Sequence, residues 1–246
     1  MRLKSVIKYN LSEIKASIVV FYGVMLAVIA LLGVSFIEMS NNNTNGNMGG
    51  AEVATVIFIF VVGLNSFKNN YLFLSTNGIS RKTQFKGFAS SAFIICILLA
   101  AIDNIYLNIL PLFMDYGSLF SQIYTPWAEE MSKVQVILTG FVWSIAVYFM
   151  AIAAGYFITV LYYRMNKLLK TVVSIAVPAL LCVVLPVIDV NYAGGKISGF
   201  VSGVFKKLAG FNGGIYPMIG VLSMAAGAII FLGLAYLLVR RARIKD

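Results

Sequence analysis

The sequence predicts an all-α polytopic membrane protein with a single transmembrane domain over residues 1–246. Hydrophobic residues make up 60% of the chain and charged residues only 11%, whereas soluble domains carry roughly 25% charged residues. The apolar residues lie in long runs, and about 20 such residues are enough to cross the hydrocarbon core as a helix. Most Lys and Arg residues stand at the ends of these runs, a pattern typical of membrane helices.

The composition excludes several other classes of protein. A net charge of +10 can indicate a nucleic-acid partner, but here the basic residues are scattered between apolar runs and build no continuous basic face. The chain has no histidine, and its two cysteines, Cys96 and Cys182, lie inside apolar runs. We therefore expect no nucleic-acid partner, no metal site, no disulfide framework and no histidine-dependent catalysis.

Residues 1–17 are predicted to form an amphipathic helix that lies along the membrane surface, in contact with lipid. Its apolar face and the lysines beside it recur at helical spacing. The apolar face consists of Leu3, Val6, Ile7, Leu11 and Ile14, and the lysines are Lys4, Lys8 and Lys15. A signal peptide is disfavoured, because the apolar run that follows is too long and lacks a cleavage site with small residues.

Six apolar runs are predicted to span the membrane: residues 18–37, 53–70, 88–110, 134–163, 171–188 and 215–239. The first two spans are joined by a polar, asparagine-rich segment, residues 38–52. The third and fourth are joined by residues 105–133, where prolines and a glycine interrupt helical structure. The turn between the fourth and fifth spans, residues 164–170, is short and basic, so these spans form an antiparallel pair.

Two of the spans carry residues that are unusual in lipid. Asp103 and Asn104 follow Phe88 by about 24 Å of helix, which favours a helix end near the outer boundary. An ion site inside the membrane is the alternative interpretation. In the fifth span, Pro178 and Pro186 each remove a backbone hydrogen bond and favour a kink.

Residues 73–87 form a polar, basic island between the second and third spans. Arg81, Lys82 and Lys86 cannot lie in hydrocarbon without a large free-energy cost. Residues 1–17, 68–87, 164–170 and 240–246 together hold 15 of the 19 Lys and Arg residues. The positive-inside rule therefore predicts that both termini and the basic island are cytoplasmic, which an even number of spans allows.

A second informative stretch, residues 190–214, separates the last two spans. It is predicted to contain a short amphipathic helix that lies at the interface or re-enters the membrane from it. One stripe carries Ile197, Phe200, Val201, Val204, Phe205, Leu208 and Phe211, and the opposite face carries glycine, serine and Lys206. The alternative is an interfacial loop, because glycine disfavours helices.

The chain shows no nucleotide site of its own. A phosphate-binding loop needs glycine directly before its lysine, and Arg81 occupies that position before Lys82. No nucleophile elbow, catalytic pair of carboxylates or metal cluster is present in the sequence either. We therefore expect no enzymatic activity in this chain and no bound cofactor.

The layout resembles an ABC type-2 exporter permease. The shared features are the amphipathic N-terminal helix, six spans, a basic hairpin after the second span and a re-entering segment before the sixth. Residues 77–82, followed by Phe85, are similar to the Gly-(Ile/Val)-Ser-Arg element that such permeases carry at this place. The resemblance covers most of the chain in topology, and a short stretch in motif.

The resemblance implies that residues 72–87 are a coupling helix that docks on a separate ATPase subunit, which binds the ATP. In that arrangement Gly78 permits a sharp turn, Ser80 caps the helix that follows, and Arg81 and Lys82 pair with acidic groups of the ATPase. The implied coupling residues are Asn77, Gly78, Ile79, Ser80, Arg81, Lys82 and Phe85. The alternative is that the cations only anchor a helix end.

The resemblance further implies that the N-terminal helix is the connecting helix and that residues 196–211 form part of an outer gate. The implied gate residues are Phe200, Val204, Phe205 and Leu208. A second copy of the chain, or a paralogue, would complete the transport path. The expected location is the plasma membrane of a bacterium.

Few charges line the spans, which favours an amphipathic or hydrophobic substrate such as a peptide, lipid or drug. Two other functions remain open. A non-transporting immunity or assembly subunit would share this topology. A secondary transporter is less favoured, since such proteins usually show inverted repeats and the sequence has no convincing internal repeat.

Overall fold

The structure is a computed structural model that describes residues 2–41, 48–112, 116–211 and 213–240. These residues form helices connected by short turns. The helices are α1 (Arg2–Asn41), α2 (Ala51–Asn65), α3 (Lys68–Thr76), α4 (Arg81–Ile109), α5 (Leu119–Ile123), α6 (Thr125–Glu130), α7 (Lys133–Arg164), α8 (Lys167–Ala179), α9 (Leu185–Ile188), α10 (Lys196–Ala209) and α11 (Pro217–Arg240). Two residues of β1 (Met48–Gly49) pair in parallel with two of β2 (Tyr116–Gly117).

Six helical stretches in the described part of the chain are long and apolar enough to cross a membrane. They are Leu3–Leu31, Ala51–Thr76, Arg81–Leu112, Lys133–Arg164, Lys167–Asn191 and Pro217–Arg240. Each contains most of one predicted span, so the prediction of an all-α polytopic membrane protein is confirmed. Much of the asparagine-rich connection, and the C-terminal cations after Arg240, lie outside the described residues.

The N-terminal amphipathic stretch and the first span form one helix, α1, with no break between them. Its 40 residues extend about 60 Å, which exceeds the roughly 30 Å of a hydrocarbon core. Part of the apolar face expected to rest on lipid packs on α4 instead. Val6 is buried and lies against Gly87, where a side chain on α4 would leave it no room.

The core lies between α2, α4, α7 and α11, with α7 at its centre. Small residues allow α2 and α7 to approach closely, as is common between membrane helices. A Cβ atom on Gly63 would collide with the backbone oxygen of Ile152, and one on Gly155 with that of Phe60.

The fifth span stands apart from this core. It continues α8 through a π-helical turn at Leu180–Val184, then α9, then a second π-helical turn at Asp189–Ala193. These wide turns follow Pro178 and Pro186, whose missing N–H groups disturb the regular ladder. The most apolar window of this span has no buried residue.

One end of the molecule carries the basic segments. The turn at residues 77–80 and the C-terminus of α11 meet there, because the Arg81 guanidinium Nη1 donates to the Arg240 carbonyl oxygen at 3.1 Å. The N-terminal part of α1 joins them, since the Tyr9 ring stacks on Phe73 with 4.9 Å between centroids. We call this the basic end.

We predict that Gly155→Ala lowers the free energy of unfolding by about 1–3 kcal/mol, because the added methyl group meets backbone rather than a movable side chain. The measurement is the thermal unfolding midpoint of the purified protein in detergent. Gly233→Ala is the matched control, since no atom lies within 4 Å of its added Cβ. Equal midpoints for the two variants would contradict the close approach of α2 and α7.

Candidate functional site

The predicted coupling motif forms a tight turn between α3 and α4. Gly78 has a φ of 68°, which lies in the left-handed region that glycine adopts at little cost. The Ile79 N–H donates to the Leu74 carbonyl and the Gly78 N–H to the Ser75 carbonyl, both at 3.0 Å. This pair of bonds is a Schellman motif, so the expected sharp turn at Gly78 is confirmed.

Ser80 caps the next helix, as expected. Its extended backbone precedes α4, and its Oγ accepts the Thr83 N–H at 3.4 Å. The helix that follows is not a short coupling helix but α4, which spans the membrane. The separate short helix in this region is α3, on the other side of the turn.

Gln84 was missed by the sequence analysis, although it lies between Lys82 and Phe85 of the motif. Its side chain is buried, and Nε2 donates to the Ile79 carbonyl at 2.8 Å and to the Ser75 hydroxyl at 3.1 Å. Gln84 therefore joins the two sides of the turn. A polar residue next to a turn motif was the feature of the sequence that could have indicated this role of Gln84.

The predicted coupling residues differ in their exposure. Asn77, Gly78, Ser80, Arg81 and Lys82 are exposed, and neither cation forms an ion pair with another described residue. Phe85 points into the bundle instead, with its ring 5.0 Å from Tyr236 and 6.4 Å from Tyr156. Phe85 thus belongs to the packing beneath the turn.

Buried side chains of α3 and a hydrogen bond between α1 and α4 support the turn. Tyr71 and Leu74 on α3 are buried, and the Tyr71 ring stacks on Phe67 with 5.0 Å between centroids. The Asn10 amide on α1 donates to the Ser91 hydroxyl on α4 at 3.2 Å. Beside the turn lies a groove of about 350 Å³ that is lined partly by Arg81.

At the other end, the predicted gate segment forms a regular helix, α10, so the alternative of an interfacial loop is wrong. Phe200 and Phe205 are 73% and 69% exposed, and Val204 and Leu208 are also exposed. The four residues therefore present an apolar surface that no described part of this chain covers.

Both ends of α10 are anchored by hydrogen bonds from side chains elsewhere in the chain. The Asp189 carboxylate accepts the Ile197 and Ser198 N–H groups at 2.8 and 2.9 Å. At the C-terminal end, the Tyr124 hydroxyl donates to the Ala209 carbonyl at 2.9 Å. The fifth span and the α5–α6 segment thus fix the position of α10.

Asp103 does not mark a helix end, and that preferred interpretation was wrong. α4 continues past Asp103 to Ile109, and the Asp103 side chain is fully buried. The Tyr22 hydroxyl on α1 donates to one carboxylate oxygen at 2.5 Å, and the Tyr148 hydroxyl on α7 donates to the other. The tyrosines were missed because single tyrosines in apolar runs are not informative.

Near Asp103 and its two tyrosines, the segment around β2 covers the N-terminal end of α2. The Tyr116 hydroxyl accepts the Ala51 N–H at 2.8 Å, and the Leu119 N–H donates to Glu52 Oε1 at the same distance. Burial raises the pKa of Tyr116 to about 12, and the neighbouring Glu52 charge acts in the same direction. The Tyr116 hydroxyl therefore stays neutral at physiological pH.

We predict that Tyr148→Phe destabilises the protein by about 1–3 kcal/mol, because it leaves a buried carboxylate oxygen without its donor. The measurement is again thermal unfolding in detergent. Tyr216→Phe is the control, since Tyr216 is 57% exposed. If both substitutions lower the midpoint equally, the Tyr148–Asp103 bond makes no net contribution to stability.

Within the described residues, no group of three or more His, Cys, Asp or Glu side chains is placed to hold a metal ion. Comparison of the chain with family models, with curated proteins and with solved structures found no match.

Proposed function

We propose that this chain is the membrane permease subunit of an ATP-driven exporter of the ABC type-2 class. The observation that carries the proposal is the turn at residues 77–80, which is held by hydrogen bonds and presents exposed Arg81 and Lys82 at the polar start of the third span. A separate ATPase subunit would bind this turn through acidic groups, and would bind and hydrolyse the ATP. In this proposal the basic end faces the cytoplasm of a bacterium, and the protein lies in the plasma membrane.

The turn is connected to the opposite end of the bundle by α4. This helix has 29 residues, which corresponds to about 44 Å. α1 is hydrogen-bonded to α4 at two heights, through Asn10–Ser91 near the turn and Tyr22–Asp103 farther along. A displacement of the turn by the ATPase would therefore move α4 and α1 together.

A second copy of the chain, or a paralogue, would complete the transport path. The unpacked fifth span and the exposed apolar side chains of α1 support this part of the proposal. Val19, Val20 and Leu31 on α1 are 65–71% exposed. The apolar character of the spans favours a substrate that is itself amphipathic or hydrophobic, such as a peptide, a lipid or a drug.

We predict that the native chain, purified from detergent-solubilised membranes of its source, co-purifies with an ATP-binding subunit, whereas Arg81→Glu/Lys82→Glu does not. The reason is charge reversal at the proposed contact. The matched control is Lys167→Glu/Lys170→Glu, which reverses two cations at the start of α8 and should retain the subunit.

Absence of an ATPase with the native chain, when the protein is folded and membrane-inserted, would contradict the exporter function. The non-transporting immunity or assembly function would then come first. Equal retention by both double variants would instead contradict the coupling role of the turn.

We further predict that the co-purified complex, reconstituted in liposomes, hydrolyses ATP faster when amphipathic peptides are added, and that sugars and inorganic ions have no such effect. The measurement is phosphate release at saturating ATP. Transport of a small charged solute would contradict the proposed substrate class.

A further inference from the structure

Two adjoining cavities lie at the end of the molecule opposite the basic end. The outer one is an open groove of about 700 Å³ that includes Glu129 and Lys133 in its lining. The inner one measures about 200 Å³ and includes Glu52. The two cavities share a wall formed by Asn108, Pro111, Ser121, Val136 and Ile137. The inner cavity therefore lies directly beside the open groove.

Glu52 is the unusual residue of the inner cavity. Its side chain is only 3% exposed. Oε1 accepts the Leu119 N–H at 2.8 Å, but Oε2 is buried without any hydrogen-bond partner. A buried carboxylate oxygen without a donor is costly, since burial removes its water and nothing replaces it. A positively charged or hydrogen-donating partner at Oε2 would therefore stabilise the Glu52 carboxylate.

The surrounding residues supply no charged partner: the Tyr116 hydroxyl is close enough to interact with the Glu52 carboxylate, but Oε2 accepts no hydrogen bond from a described residue. Asp103 lies close enough to interact electrostatically with Glu52 and adds a second acidic group, and both of its oxygens already accept tyrosine hydroxyls. No Lys or Arg is among the described residues that line the inner cavity, where hydroxyl and amide groups accompany Glu52. The titratable groups facing this region are Tyr22 on α1, Asp103 and Tyr106 on α4, Tyr148 on α7, Tyr116 on β2 and, in the groove, Glu129 on α6 and Lys133 on α7.

We infer that the inner cavity binds a small cationic group, with Glu52 Oε2 as its charged ligand. Hydroxyl, amide and carboxylate oxygens suit an ammonium group or an alkali-metal cation. A divalent metal fits less well, because it usually takes more carboxylate oxygens than this site provides. The cation is either a free ion or the amine of a larger molecule whose remainder lies in the open groove.

This inference does not depend on the exporter function, and its test needs no ATPase. The two tryptophans of the chain offer a direct reporter. The rings of Trp127 and Trp143 lie 5.9 and 5.8 Å from that of Phe120, and Phe120 lines the inner cavity. Occupation of the cavity should therefore change the tryptophan fluorescence.

The experiment titrates the purified full-length protein in detergent with potassium chloride, sodium chloride, ammonium chloride and hexylammonium chloride. Tetraethylammonium chloride keeps the ionic strength constant, since this monovalent cation is bulky and has no N–H group to donate. We expect a saturable fluorescence change for at least one of the cations. Tighter binding of hexylammonium than of ammonium assigns the site to the amine of a larger molecule, and equal or weaker binding assigns it to a free ion.

Glu52→Gln should weaken the apparent affinity about tenfold or more, because a charge partner is removed from a buried site. Glu130→Gln is the matched control. It removes the same charge from the same end of the molecule, but Glu130 is exposed and lines neither cavity. This control should bind like the native protein.

Three results would overturn the inference. In the first, the fluorescence of the native protein responds to none of the four cations. In the second, the fluorescence changes with pH but not with any cation, because the carboxyl group holds only a proton. In the third, a folded Glu52→Gln protein binds the cations as tightly as the native protein does. If Glu52→Gln does not fold, competition decides between the outcomes in the native protein. Mutual displacement of two cations supports one shared site, and independent responses overturn it.

Discussion

The hydrogen bonds to Asp103 are the interaction on which the rest of the bundle depends. A buried carboxylate in a membrane helix must be paired, and here the partners come from two other helices, through Tyr22 on α1 and Tyr148 on α7. These bonds set α1, α4 and α7 at one relative height. The large apolar faces could otherwise slide past one another at little cost, since dispersion contacts are not directional.

Two of these helices, α4 and α1, connect the candidate functional regions at the two ends. α4 begins at the basic turn and carries Asp103 about six helical turns later. α1 packs beside it, with Val6 against Gly87 near the turn and Tyr22 at the acidic residue. The packing of α1 along α4 therefore joins the turn to the region near the cavity. The proposed docking of an ATPase at one end would displace these helices and so change the position of residues at the other end.

The fifth span and α10 are held in place differently from the other helices. Asp189 of the fifth span bonds to the start of α10. The bundle holds the other end of α10 through Tyr124 and Ser223. The wide turns near Pro178 and Pro186 interrupt the regular helix, and the apolar residues between them remain exposed. This part of the chain has a large apolar surface available to lipid or to a second subunit. The residues at the α2–α7 contact are instead covered by one another.

The sequence by itself determined the six spans, the helix α10 and the turn at Gly78 and Ser80. Hydropathy, helical periodicity and turn chemistry act over a few neighbouring residues, and they can be read from one segment at a time. Only the tertiary structure decided that Asp103 is paired, that Phe85 points inward and that Glu52 lies half-satisfied in a cavity. Tyr22 and Asp103 are 81 residues apart, and Glu52 and Leu119 are 67 apart. Such partners meet through the packing of whole helices, which no local pattern specifies.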